Sequence, residues 1–154
     1  MADELTLLKN SSLFKDIDDR AVRKFLDVAE VKNWAKDEVL SVEMQEDEDI
    51  SLILEGEIRA EVTIDKDGAG VDYGQGEFLG LVKFLQDDSP VEMLTATAKT
   101  DARLLVWKAS QWRRICDEDA KTGYMLALRV GRIVVDRMKN WHVSVLNNVS
   151  WGIE

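Results

Sequence analysis

The 154-residue sequence predicts a mainly β domain with flanking helices (α+β), built as a jelly roll or small barrel. Between Trp34 and Trp107 the chain breaks into short β-rich runs separated by Gly-containing turns. Before and after this stretch apolar residues recur at three- and four-residue intervals, the spacing of one helical face. No internal repeat, low-complexity segment or linker rich in Pro, Gly or Ser divides the chain, so a single domain over 1–154 is expected.

The elements follow in order. An N-terminal helix is expected at about 18–30, because Asp18-Asp19 supplies a cap ahead of Val22, Phe25, Leu26 and Ala29, which share one face. The roll is expected over about 34–107, with strands at Ile50–Leu54, Glu57–Ile64, Leu94–Ala98 and Ala102–Trp107. Asp65-Lys66-Asp67-Gly68-Ala69-Gly70 reads as a hairpin loop, since Asp and Gly tolerate positive φ. C-terminal helices are expected over about 110–146: Ser110 caps a short helix through Cys116, and a second begins near Asp119 and continues past Trp141. Along it Leu126, Val130, Ile133, Val134, Met138, Trp141 and Val145 form an apolar stripe longer than a small roll covers, broadened by Leu128 and Val135.

Composition bounds the function. A chain of this size buries roughly 70% of its unfolded surface, and 45% hydrophobic residues supply a core without disulfide or metal. The single cysteine, Cys116, excludes an internal disulfide and fits a reducing compartment. No apolar run reaches the roughly 18 residues of a membrane span, and the start Met1-Ala2-Asp3-Glu4 lacks the positive charge of a signal peptide, so a cytoplasmic protein with no membrane partner is expected. A formal charge of −10 opposes nucleic-acid binding. Glu43, Glu46, Asp47, Glu48 and Asp49 read as a solvated acidic loop. Arg113, Arg114, Arg129, Arg132, Arg137 and Lys139 are spread around helices, which favours solvation or pairing over a nucleic-acid face.

An enzyme is not expected. Metal-dependent β-rolls need several converging His and carboxylate ligands, and the only histidine is His142, on the long helix beside Trp141. Cys116 has no second histidine as a base. Asp87-Asp88 reads as a solvated turn, and Gly74-Gln75-Gly76 lacks the Lys-Ser/Thr ending of a phosphate loop. Of the five tryptophans, Trp107 and Trp112 read as core, while Trp141 and Trp151 are candidates for a partner contact. No cofactor or metal is expected.

Several stretches resemble the cyclic-nucleotide-binding domain family, of the catabolite-activator type. Ile50-Ser51-Leu52-Ile53-Leu54-Glu55-Gly56-Glu57-Ile58 is similar to its strand-turn-strand motif and is the most specific match. Asp37-Glu38-Val39-Leu40 is similar to its "G-E-x-I" strand start, and Leu8 to Phe14 to its entry segment. Gly76-Glu77-Phe78-Leu79-Gly80-Leu81-Val82-Lys83-Phe84-Leu85, followed by Pro90 to Ala98, looks like its ligand-binding cassette. The resemblance runs from about Leu5 to Trp141, and implies a double-stranded β-helix with an N-terminal helix and a long C-terminal helix. It also implies that the long helix packs on its twin, making Leu126, Val130, Ile133, Val134, Met138 and Trp141 candidates for a homodimer interface; packing within the chain is the alternative. Members that regulate transcription carry an appended helix-turn-helix for which no room is expected here, so a standalone module acting on an unidentified protein partner is the expectation.

This chain departs from the family's pattern. Asp37 and Met44 stand where turn glycines are usual. Leu81 replaces the Glu that the family uses to hold a ribose hydroxyl, and Glu92 replaces the Arg that holds the cyclic phosphate. Losing a charge-assisted contact of roughly 1.5–3 kcal/mol, and adding repulsion of about 4 kcal/mol at ~4 Å, removes about three to five decades of affinity. Binding of cAMP or cGMP is therefore not expected unless Lys83 or an unaligned Arg reaches in. The pocket candidates are Phe78, Leu79, Gly80, Leu81, Val82, Lys83, Glu92, Met93 and Leu94. Three outcomes stand: the pocket collapses onto Leu81, Val82, Met93 and Leu94, it admits a different small molecule, apolar or cationic, or, last in order, the chain is an atypical cyclic-nucleotide receptor.

Overall fold

A computed structural model describes residues 3–62, 70–86 and 89–149, with side chains up to residue 140. The order is α1 (Glu4–Asn10), α2 (Asp19–Val28), β1 (Glu30–Trp34), β2 (Val39–Ser41), β3 (Asp49–Glu55), β4 (Ile58–Glu61), β5 (Gly70–Tyr73), β6 (Phe78–Leu79), α3 (Val82–Leu85), β7 (Thr95–Ala98), β8 (Ala102–Lys108), α4 (Ala109–Glu118) and α5 (Ala120–Val149). The strands form two four-stranded antiparallel sheets, ordered β1-β8-β3-β6 and β2-β7-β4-β5. This is the expected β-roll with flanking helices.

The centre of the first sheet is buried on both faces, which explains why β3 and β8 are almost continuously apolar rather than alternating, while the edge strand β1 is largely exposed. Ile50, Leu52 and Leu54 of β3, with Leu105 and Trp107 of β8, face the helices. Ile53, Leu104 and Val106 face the interior of the roll, against Ile58, Ala96 and Ala98 of the second sheet. On the helical side Trp112 is the hub: its ring lies 5.4 to 6.2 Å from those of Trp107, Phe25, Phe14, Phe84 and Phe78. Trp107 anchors α2 by donating from Nε1 to the Phe25 carbonyl at 2.7 Å. Both tryptophans are core, as their sequence positions predict.

Several boundaries differ from expectation. Helix α1 escaped the sequence reading because seven residues are too few for a periodic pattern; Asp3 caps it by accepting from the Thr6 N–H at 2.7 Å. Strand β1 begins at Glu30, earlier than 34, because its pairing with β8 is a long-range register that no local apolar run announces. Asp18 does cap α2, accepting from the Ala21 N–H at 2.9 Å. Ser110 does not cap α4: Lys108 stands at the cap, its N–H donating to Gln111 Oε1 at 2.8 Å, and Ser110 is already helical. Glu61 pairs with Gly70 across β4 and β5, so Gly70 opens a strand instead of closing the expected hairpin loop; the rest of that loop, 65–69, and the end of the expected strand, 63–64, lie outside the described residues. The side chains of Trp141, His142 and Val145, and residues Asp87, Asp88 and Trp151, are outside them as well.

The apolar stripe of α5 divides in two. Leu126 and Val130 are fully buried in the chain's own core, and Ile133 and Val134 pack against that core, so the first two are not available to a partner. Their place was misread because helical spacing cannot tell a domain core from a seam between subunits. A separate exposed stripe runs through Tyr124, Leu128, Val135 and Met138, spaced four, seven and three apart. None of the helices is long and apolar enough to cross a membrane, among the described residues.

Candidate functional site

The cassette begins at a turn. Gly80 has φ +76, and a Cβ there would collide with the Asp49 carbonyl oxygen, so this approach of β6 to β3 requires glycine. The close approach places Asp49 beside α3, which starts at once: the Lys83 N–H donates to the Gly80 carbonyl at 3.1 Å. Lys83 then turns inward and is only 1% exposed.

Its ammonium is fully partnered. Nζ lies 2.5 Å from Glu92 Oε2 and 3.3 Å from Asp47 Oδ1, and it donates to the Asp49 carbonyl at 3.1 Å. Three donors meet three acceptors. The other oxygen of Glu92 accepts from the Met93 N–H at 3.1 Å and the Leu94 N–H at 3.4 Å. Glu92, 8% exposed, is thereby held from both sides. The Met44 N–H donates to its carbonyl and its own N–H donates to the Gln45 carbonyl, which ties the loop after β2 to the loop before β7. One lysine thus pins α3, β3 and two loops together.

These groups close a small cavity. Trp34, Leu40, Leu79, Leu94 and Ala96 supply apolar walls, and Asp47, Asp49, Lys83 and Glu92 a polar side. Its internal volume is ≈ 70 Å³. A water needs about 10–15 Å³ on that measure, and small-molecule pockets run to roughly 300–1,000 Å³, so the cavity holds a handful of waters and little more. Arg137 reaches it from α5: Nη2 donates to the Phe78 carbonyl at 3.1 Å, and the guanidinium carbon lies 5.1 Å from the centre of the Tyr73 ring.

Of the nine pocket candidates, Leu79, Gly80, Lys83, Glu92 and Leu94 line the cavity. Four do not. Phe78 and Leu81 enter the helix-side core around Trp112. Val82 is half-buried away from the cavity, and Met93 points outward, 55% exposed. The polar wall of Asp47 and Asp49 and the reach of Arg137 were missed in the sequence, since distant segments bring them there. The repulsion expected from Glu92 is also revised. Its charge is neutralised by Lys83, so a phosphate would have to displace an existing ion pair rather than meet a bare carboxylate.

A wider open groove of ≈ 370 Å³ lies at the β1–β8 end, near Asn33, Glu55, Asp101 and Arg103. Its charges are already spent: Arg103 donates to Glu4 at 2.9 Å and to Glu55 at 3.1 Å, and Asp101 accepts from the Lys36 N–H at 2.9 Å. Among the described residues no three His, Cys, Asp or Glu side chains are grouped to hold a metal ion.

The model of the family described as "Cyclic nucleotide-binding domain" matches residues 31–119. Among solved structures, a cyclic nucleotide-binding domain from Methylobacillus flagellatus KT is similar at 18% identity and TM-score 0.77, covering 94% of this chain and 81% of that one. The N-terminal domain of a transcriptional regulator from Streptomyces coelicolor A3(2) is similar at 19% identity and TM-score 0.71, over 88% of this chain and 94% of that one. The Thermus thermophilus catabolite activator protein is similar at 18% identity and TM-score 0.71, over 89% of this chain and 63% of that one. No curated protein matches. These structures share the fold, and the family match spans more than half of the sequence. The chain belongs to the cyclic nucleotide-binding domain family.

Proposed function

We propose that this chain is a non-enzymatic regulatory or protein-interaction module of the cyclic nucleotide-binding fold that does not bind cAMP or cGMP. The carrying observation is the buried Lys83–Glu92 pair, 2.5 Å apart, in a cavity of ≈ 70 Å³. Removing one partner of a buried pair costs about 3–5 kcal/mol, so a nucleotide that takes Lys83 from Glu92 must first repay that and then open the cavity several-fold. The reading of this site as a sensor for an apolar ligand loses support, because Leu81 and Met93 face away from the cavity. Equilibrium dialysis with radiolabelled cAMP and cGMP tests the reading: no retention is expected, and saturable one-to-one retention overturns it.

The module is proposed to act as a homodimer. Tyr124, Leu128, Val135 and Met138 present the seam, with Gly131 between them completing the alternating four-three spacing of a two-helix coil. Nucleic acid is not a proposed partner. Arg113 donates to the Lys83 carbonyl, Arg129 to those of Leu13 and Lys15, and Arg137 to that of Phe78. Half of the late basic residues are thereby used inside the chain.

A further inference from the structure

The cavity keeps polar groups that its ion pair does not use. Ser51 stands in β3 between Ile50 and Leu52, which face the helices, so its side chain faces the interior of the roll with Ile53. It lines the cavity and is 7% exposed, and its hydroxyl makes no hydrogen bond among the described residues. A buried hydroxyl in that position calls for a partner inside the cavity.

Arg137 supplies the matching charge. Of the two cations on the lining, Lys83 is spent on Glu92 and Asp47, whereas Arg137 forms no ion pair among the described residues. Its Nη2 is used on the Phe78 carbonyl and its face on Tyr73, which leaves Nε and Nη1 as donors without an acceptor. The guanidinium and the hydroxyl are neighbours, because Ser51 pairs across β3 and β6 with Leu79, the residue after that carbonyl. The carboxylates of the wall are already offset: Lys83 serves Glu92 and Asp47, while Lys108 at 2.6 Å and Lys32 at 4.0 Å serve Asp49. With Arg137, four cations meet three carboxylates, and one negative charge is missing.

Size and walls narrow what can supply it. At the ~10–15 Å³ that one water needs, a cavity of ≈ 70 Å³ admits about four to six non-hydrogen atoms. Leu40, Leu79 and Leu94 offer an apolar side to part of them. We propose that the cavity binds a small monocarboxylate, such as acetate or propionate, with its carboxylate held by Arg137 and Ser51 and its alkyl end against these leucines. The proposal rests on the reading that cyclic nucleotides are excluded, and it gives the module a regulating ligand of another class.

The test is 1H–15N NMR of the full chain, reading the indole N–H of Trp34, which lines the cavity and is assigned by its loss in Trp34→Phe. Sodium acetate titrated to about 50 mM should shift this resonance saturably, a range suited to the weak binding of so few atoms, while sodium chloride at equal ionic strength should not. Nitrate, planar and singly charged but without a methyl group, should bind less well. Arg137→Gln should weaken acetate by about tenfold or more and Ser51→Ala by about threefold. Ala96→Val, which adds bulk to the cavity without touching a charge, should abolish the shift. Dispersed spectra of Ser51→Ala and Ala96→Val separate lost binding from lost fold. An unsaturable shift, the same shift with chloride, equal affinity for nitrate, or undiminished affinity in any of the three variants overturns the proposal. A saturable shift with cAMP overturns the parent reading and this proposal with it; no shift with either acetate or cAMP overturns this proposal alone.

Discussion

Arg137 on α5 and Tyr73 on β5 both line the cavity, with the guanidinium carbon 5.1 Å from the ring centre, while Arg137 Nη2 donates to the Phe78 carbonyl. The long helix is therefore fastened to the roll by a cation over an aromatic face as well as by the buried Leu126 and Val130. A double-mutant cycle of Arg137→Ala and Tyr73→Ala should give a coupling of about 0.5–1 kcal/mol in urea unfolding, the range for a partly exposed pair. Additive effects would mean that the contact contributes nothing.

The Lys83–Glu92 pair predicts asymmetric stability effects. Lys83→Met alone leaves Glu92 buried without its partner and should cost about 3–5 kcal/mol. Adding Glu92→Gln should recover part of that loss, because the uncompensated charge is then gone. If the double variant is less stable than Lys83→Met, the interior is not the apolar environment described.

The proposed dimer turns on the exposed stripe of α5. Leu128→Glu and Met138→Glu should shift the protein towards monomer in light scattering without lowering its melting temperature substantially. Leu126→Glu should instead unfold it, since Leu126 is fully buried within the chain. A monomeric unmodified protein at micromolar concentration would contradict the assembly.

Cys116 offers a pH-dependent readout. Burial first, then Asp117 and Asp119, push its thiol from 9.0 up to about 11. Below both values the thiol is protonated in either state, so the difference appears as a smaller thiolate fraction in the folded chain. At about pH 8 that fraction falls roughly a hundredfold, partly offset by the greater nucleophilicity of a more basic thiolate, for a net slowing of about tenfold. Iodoacetamide should therefore label Cys116 about tenfold faster in urea than in buffer; equal rates would contradict the burial.

The sequence made some of this legible and hid the rest, for physical reasons. Strands β3 and β8 were readable because a sheet covered on both faces demands continuous apolar residues. Asp37 and Met44 were recognised as standing in glycine positions, and both have positive φ, +72 and +67. The inward turn of Lys83 was raised as a possibility, but its pairing with Glu92 depends on loops that meet only after the sheets form. Leu81 was assigned to the cavity by its place in the cassette, yet after the turn at Gly80 it enters the core beside Trp112. Arg137 could not be placed at all, because spacing along α5 says nothing about what lies opposite it.

The central claim is that the chain's own ion pair fills the place of a ligand. Thermal unfolding with and without about 1 mM cAMP or cGMP tests it most directly, since a ligand at 100 times its dissociation constant adds about 2.7 kcal/mol, several degrees for a chain of this length. The account predicts no resolvable shift with either nucleotide. A reproducible rise of about 3 °C or more would contradict it, by showing that the cavity opens and Lys83 exchanges Glu92 for a phosphate.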